Sequence, residues 1–313
     1  MSEEKVVMKG YKAFNKGMKC RDKQYAEHTV FEEDSAKICK SGMHFCKNPL
    51  DVFDYYPLVN DKGEIPEFAE VEALDEVLTD DKKKYCTKKL KIGAKISLAR
   101  FIKASLDVTR ESIIKEAEEK GGDGAKLAGG DGATLAGGDY ATLAGGDYAT
   151  LAGGDYATLV GGDYATLVGG YGATLAGDDG AKLAGGDGAK LVGGNGATLA
   201  GDYYATLVGG DYATLVGGYY ATLVGGYYAK LAGGNCATLA GGKGATLAGG
   251  KGAIIVGDNG SVAKGKKGAV ILLVERNTKN EIINFNAIQV DGEIIKEDTL
   301  YKLENGEFVE VEK

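Results

Sequence analysis

The sequence contains no tryptophan, 3 prolines and 2 histidines in 313 residues. Collagen is excluded, because proline is nearly absent and the abundant glycine does not recur at every third position. The histidines, His28 and His44, offer few general acid–base groups, and no nucleophile elbow or P-loop pattern is present. Long apolar runs are missing: the longest, Ala269–Val274, falls far short of the ~20 residues that span a bilayer. Met1-Ser2-Glu3-Glu4-Lys5 is acidic with no apolar core behind it, so no secretory leader is expected. A basic excess is lacking too: the net charge of −8 argues against direct nucleic-acid binding. Five cysteines, an odd count, are expected to be reduced thiols in a cytoplasm.

Glycine dominates what remains. Of 51 glycines, 40 lie between Gly121 and Val256. A Gly/Ser linker is excluded, because Ala, Thr, Leu and Tyr alternate regularly with them. Residues 121–256 form seventeen consecutive octads with the consensus Gly-Gly-Asp-Tyr-Ala-Thr-Leu-Ala, as in Gly145–Ala152. Two degenerate units follow, Gly257–Lys264 and Gly265–Leu272. A short fixed period means that each unit stacks on its neighbour and has no core of its own.

Octad position 5 is always Ala and position 7 is Leu until Ile255. Such constancy within one chain places both inside, with positions 4, 6 and 8 facing outward by strand alternation. Glycines at positions 1 and 2 are expected to supply the unusual backbone angles of a turn. Asp178 and Asp202, which replace position-2 glycines, tolerate such angles better than most residues. Each octad is read as a strand of about five residues and a turn, two octads closing one 16-residue coil. Seventeen units give a rod of roughly 40 Å.

The fold expected is mainly β: a two-sheet β-solenoid of 16-residue coils over 121–272, a small α+β domain over 1–120, and a C-terminal β-hairpin cap over 273–313. In the first segment, Lys5–Phe14 and Glu67–Leu78 are read as strands. Asn48-Pro49 starts a short capped helix. Further helices are expected from Ser97 through Leu98, Phe101, Ile102 and Leu106, and from Ser112 to Lys120. In the last segment Asp291-Gly292 and Asn305-Gly306 signal hairpins.

Alternate octads share a side. Tyr140, Tyr156, Tyr204 and Tyr220 therefore form one outward column, and Tyr148, Tyr164, Tyr212 and Tyr228 another, both interrupted by Gly172, Gly180, Gly188 and Gly196. These eight tyrosines are the candidate interaction surface, since Tyr is favoured at interfaces; ladder stacking that stabilises the rod itself is the competing reading. Position 3 runs from Asp123–Asp163 through mixed residues to Lys243, Lys251 and Lys267. Carboxylates about 5 Å apart are mildly destabilising unless screened or bound.

Octads such as Gly170-Tyr171-Gly172-Ala173-Thr174-Leu175-Ala176-Gly177 resemble the Ala-Gly-Tyr-Gly-Ser-Thr-x-Thr repeats of bacterial ice-nucleation proteins. That resemblance implies 16-residue coils with outward Thr-x-Thr rows that order water. Here the second Thr is Ala or Val, as in Thr142-Leu143-Ala144, and lysines such as Lys182 interrupt the row. The whole layout is similar to uncharacterised phage- and prophage-encoded proteins with an N-terminal module, an octad array and a β cap. The matching residues are Lys9-Gly10-Tyr11-Lys12-Ala13-Phe14, Gly42-Met43-His44-Phe45-Cys46, Asn48-Pro49-Leu50-Asp51-Val52-Phe53, Lys91-Ile92-Gly93-Ala94 and Val290-Asp291-Gly292-Glu293-Ile294-Ile295-Lys296. This likeness implies a mobile-element origin and no established activity.

Calcium-binding toxin repeats have period nine with the ligand Asp at position 6; here the period is eight and position 6 is Thr or Lys. Cys20, Cys39, His44 and Cys46 are ligand types for zinc but lack a Cys-x-x-Cys pair. Cys236, at position 4, is expected to be exposed and open to oxidation. The reading is a non-enzymatic cytoplasmic protein without metal or cofactor, its rod presenting Tyr and Thr columns to a protein partner or to itself, with no membrane partner. The alternatives are an ice-binding, water-ordering role and an activity or metal site within 1–120.

Overall fold

The computed structural model describes residues 8–56, 66–96 and 119–311, together with Phe101, Ala104, Val108 and Ala117. Its described residues are mainly β and form two compact units, one ending at Val108 and one starting at Ala117.

The first unit contains β1 (Met8–Phe14), β2 (Lys19–Cys20), β3 (Lys23–Gln24), β4 (Val30–Glu32), β5 (Met43–Cys46), β6 (Glu67–Ala73), β7 (Val77–Thr79), β8 (Lys84–Thr87) and β9 (Lys89–Ile96). Seven of these make one sheet in the order β4-β9-β6-β1-β5-β8-β7, and β2 pairs with β3 as a separate small hairpin. Every pairing in the sheet is antiparallel. Alternation sends successive residues to opposite faces, and both faces are apolar. Phe14, Tyr25, Met43, Phe45, Val71, Leu90 and Ile92 pack on one, with Ala13, Cys46, Val52, Phe68, Ile96 and Phe101 on the other.

Pro49 opens a helix as expected, but a 3-10 one, Pro49–Asp54. Phe101, Ala104 and Val108 are helical; Ser97, Leu98, Ile102 and Leu106 lie outside the described residues. The helix expected to end at Lys120 requires correction. Glu119–Lys120 is a strand that starts the solenoid by pairing in parallel with Thr134–Ala136. Tertiary pairing at this end overrides the local apolar spacing. Residues 112–116 of that expected helix lie outside the described ones.

The solenoid has about nine turns. Each octad supplies a strand of three to four residues starting at position 6, and each strand pairs in parallel with the one sixteen residues on. The register is Thr on Thr and Leu on Leu, as in Thr206↔Thr222, Leu207↔Leu223 and Val208↔Val224. Alternate octads build two sheets, and the Ala of position 5 and Leu of position 7 form one continuous core between them.

The turns correct the expected role of glycine. The left-handed residue is at position 4, in every unit from Gly124 to Gly268, with φ between 53° and 87°. Ala at position 5 donates to the carbonyl at position 2, as Ala149 does to Gly146 at 3.4 Å. Positive φ at the third residue of that four-residue turn fits type II. Position 1, and position 2 in most units, keeps glycine for space. A Cβ on Gly209 would lie 2.6 Å from the Ala213 Cβ and 2.8 Å from the Leu215 Cδ1. A Cβ on Gly162 would lie 2.2 Å from the Asp147 Oδ1. Asp178 and Asp202 sit at position 2 without a left-handed backbone.

The Asp column has its own explanation. Most Oδ1 atoms of the column accept the backbone N–H of the position-3 residue one coil on, as Asp131 does from Asp147 (3.0 Å) and Asp147 from Asp163 (2.9 Å). Asn195 substitutes in kind, accepting from Asp211 at 2.9 Å. Where Asp178 crowds the neighbouring position, the Asp179–Asp163 bond lengthens to 3.2 Å. These charge-assisted bonds offset the repulsion between like charges along the column. Asp147→Ala is expected to cost about 1 kcal/mol in a urea melt, and Asp147→Asn close to nothing.

At the C-terminal end both parallel sheets close with antiparallel strands. Val270–Arg276 pairs with Ile282–Gln289 on one, and Tyr301 meets Ala263 on the other. Asn305 and Gly306 both have positive φ, 53° and 82°, and join Tyr301–Glu304 to Glu307–Glu310; this is the primed turn the dipeptide favours. Asp291-Gly292 makes no hairpin. The Asp291 Oδ1 accepts the N–H groups of Glu293, Ile294 and Ile295, a local cap that competes with strand pairing.

Candidate functional site

Because position 4 is the left-handed residue of the turn, the eight candidate tyrosines stand on two ridges formed by the turns, not on the sheet faces as alternation implied. Their φ values lie between 53° and 59°, and they are 42–66 % exposed. A left-handed conformation costs a residue with a Cβ about 1–2 kcal/mol, and for a bulky side chain it is an outlier.

The columns resolve into four stacked pairs. Tyr140 stacks on Tyr156 (5.3 Å between centroids) and Tyr204 on Tyr220 (5.1 Å) along one ridge. Tyr148 stacks on Tyr164 (5.4 Å) and Tyr212 on Tyr228 (5.6 Å) along the other. One stack contributes about 0.5–1.5 kcal/mol, less than the strain of the two residues that make it. Gly188 and Gly196 interrupt the ridges, with open space where a Cβ would stand.

Position 3 adds aromatic residues that the sequence reading did not select. Tyr203 and Tyr219 stack at 5.4 Å, and each meets its position-4 neighbour edge-on at 4.4 Å. Tyr203, Tyr204, Tyr219 and Tyr220 thus form one exposed four-ring block. The signal for it was the replacement of Asp by Tyr at position 3. Cys236 follows in the same ridge, half-buried where full exposure was expected. Its Sγ lies 4.0 Å from the Tyr219 hydroxyl, so the block shields it.

The outer sheet faces differ. On one, the position-8 side chains Ala152, Val168, Ala184 and Val216 are buried although they lie outside the Ala/Leu core. On the other, Val160, Val192, Val208 and Val224 are exposed beside a row of exposed Thr142, Thr158, Thr174, Thr206 and Thr222. Only this face presents its Thr and Val rows.

The first unit holds a cavity of about 900 Å³. Cys20, Cys39, His44 and Cys46 all line it, but no group of three metal-ligating side chains forms among the described residues. The Tyr56 hydroxyl donates to the Cys20 Sγ at 2.9 Å, and the His44 Nε2 accepts the Cys39 N–H at 3.0 Å. Burial, then the positive charges of Lys12 and Lys84, lowers the His44 pKa. Burial, reinforced by Asp51, pushes the Cys46 thiol up to about 12, so it is a protonated packing group. Lys12 also points into this cavity. It belongs to no catalytic or ligand-binding motif, and only the pairing of β1 with β5, Tyr11↔Cys46, brings it beside residues thirty positions away.

Fold and ridges define a β-solenoid repeat protein joined to a β-sheet unit. Residues 8–104 match the family described as a domain of unknown function, DUF7666. No curated protein and no solved structure matches the chain.

Proposed function

We propose that this is a non-enzymatic binding protein, a cytoplasmic phage or prophage accessory factor whose rod presents tyrosine ridges to a protein partner or to a second copy of itself. The observation that carries the reading is conformational. Eight tyrosines occupy a left-handed position that glycine fills in ten other units of the same array. Glycine makes that turn at lower cost, so folding alone gives no reason to place tyrosine there. Left-handed strain in residues with a side chain clusters at functional positions. The four-ring block around Tyr204 and Tyr220 adds a rigid aromatic anchor of the kind that dominates interfaces. The resemblance to phage- and prophage-encoded proteins supports the assignment to a mobile element.

Capture by the full chain from a bacterial host lysate tests this, with light scattering on the purified protein to detect self-association. A stoichiometric partner, or a defined oligomer, that is lost when the block is replaced supports the reading. Equal capture and equal mass with and without the block sink it. The water-ordering alternative rests on the single open Thr row, which Lys190 and Ile254 interrupt. Freezing-droplet temperatures equal to buffer eliminate it.

A further inference from the structure

Among the described residues of the first unit, the most deeply buried cation is Lys12, 5 % exposed. Its Nζ donates to the His44 carbonyl at 2.8 Å and lies 3.7 Å from the Cys20 Sγ. It sits over the rings of Phe14 and Tyr25 at 5.5 and 5.4 Å. No carboxylate among the described residues pairs with it, whereas its neighbour Lys23 is neutralised by Glu33 at 2.7 Å. Burial lowers the Lys12 pKa, against the opposing pull of Cys20 and Cys46, as expected for a desolvated ammonium. A buried charge is ordinarily paired, so this one lacks its anion.

The rest of the cavity wall has the same bias. Arg21, Lys40 and Lys84 line it as well, while two of its three acids are already engaged, Glu33 by Lys23 and Asp54 by Lys83 at 3.5 Å. Tyr25, Tyr55 and Tyr56 contribute aromatic surface. The volume is in the range of small-molecule sites.

We infer that this cavity binds a small phosphorylated molecule with a planar ring, of mononucleotide size, its phosphate against Lys12 and its ring against the tyrosines. Several cations against one unengaged acid suit a dianionic phosphate better than a single carboxylate. Arg21 at the exposed edge adds the planar fork that matches phosphate oxygens.

Calorimetric titration of the full chain at low salt tests this with AMP, GMP, CMP, UMP, inorganic phosphate and the four nucleosides. At least one nucleotide is expected to bind, with its nucleoside and phosphate each about tenfold weaker. Lys12→Met is expected to weaken that nucleotide by about tenfold or more without lowering the melting temperature, because it removes an uncompensated buried charge. Should Lys12→Met not fold, Arg21→Gln at the exposed edge gives the second reading, expected to weaken binding several-fold. Absence of heat from all nucleotides and phosphate up to about 10 mM overturns the proposal. So does a nucleoside that binds as tightly as its nucleotide, or undiminished binding by the folded Lys12→Met protein. Phosphate as tight as every nucleotide overturns the ring assignment.

Discussion

Leu215→Ala is expected to lower the stability of the solenoid by about 3 kcal/mol in a denaturant melt, the middle of the range for a fully buried leucine. Leu215 is completely buried and lies in register between Leu199 and Leu231. The coil is flat, so little else can collapse into the space its side chain leaves. Gly209→Ala attacks the same contact from the other side. Its new methyl would stand 2.8 Å from the Leu215 Cδ1 and 2.6 Å from the Ala213 Cβ, an overpacking expected to cost about 2 kcal/mol. The double variant separates packing from conformation. With Leu215 truncated, one of the two clashes of the added methyl disappears, so the double is expected to cost less than the two singles together. Strict additivity would show that the cost lies at the Ala213 methyl, 2.6 Å away, or in the backbone, and not at Leu215.

That distinction marks the boundary of what the sequence made legible. The period of eight, the inward Ala and Leu and the closure of a coil by two octads all follow from constancy within one chain, because a thin core admits only one residue size at each place. The reason for each glycine did not follow. Glycine is selected both by a left-handed backbone and by missing space, and a run of Gly-Gly does not say which. Position 4 held the answer, since Gly alternates there with Tyr, but tyrosine is a poor left-handed residue and so masked the signal. Asp291-Gly292 failed as a hairpin for a different reason: the aspartate side chain bonds three amides ahead of it. The cavity in the first unit was illegible because Lys12 and His44 meet only through antiparallel pairing across 32 residues, which carries no local pattern.

The second large effect concerns the tyrosine ridge and is one of function. Replacing Tyr203 and Tyr219 by Asp, and Tyr204 and Tyr220 by Gly, gives each turn residues that the array uses elsewhere, as in Gly185-Gly186-Asp187-Gly188. If the rings exist to hold the rod together, the variant loses stacks at 5.1 and 5.4 Å and edge contacts at 4.4 Å, a few kcal/mol in all. Against that loss stand two relieved left-handed tyrosines at about 1–2 kcal/mol each. A carboxylate at position 219 also regains the position-3 bond to the next coil's amide. The opposing terms are of similar size, so stability is expected to change by no more than about 1 kcal/mol. Partner capture, by contrast, is expected to fall by about a hundredfold or more, because rigid aromatic anchors carry much of an interface's energy. A variant that melts several kcal/mol lower yet still captures its partner would reverse the assignment and make the ridge an internal strut. A variant of unchanged stability that no longer captures the partner would show why this chain tolerates tyrosine where glycine fits better.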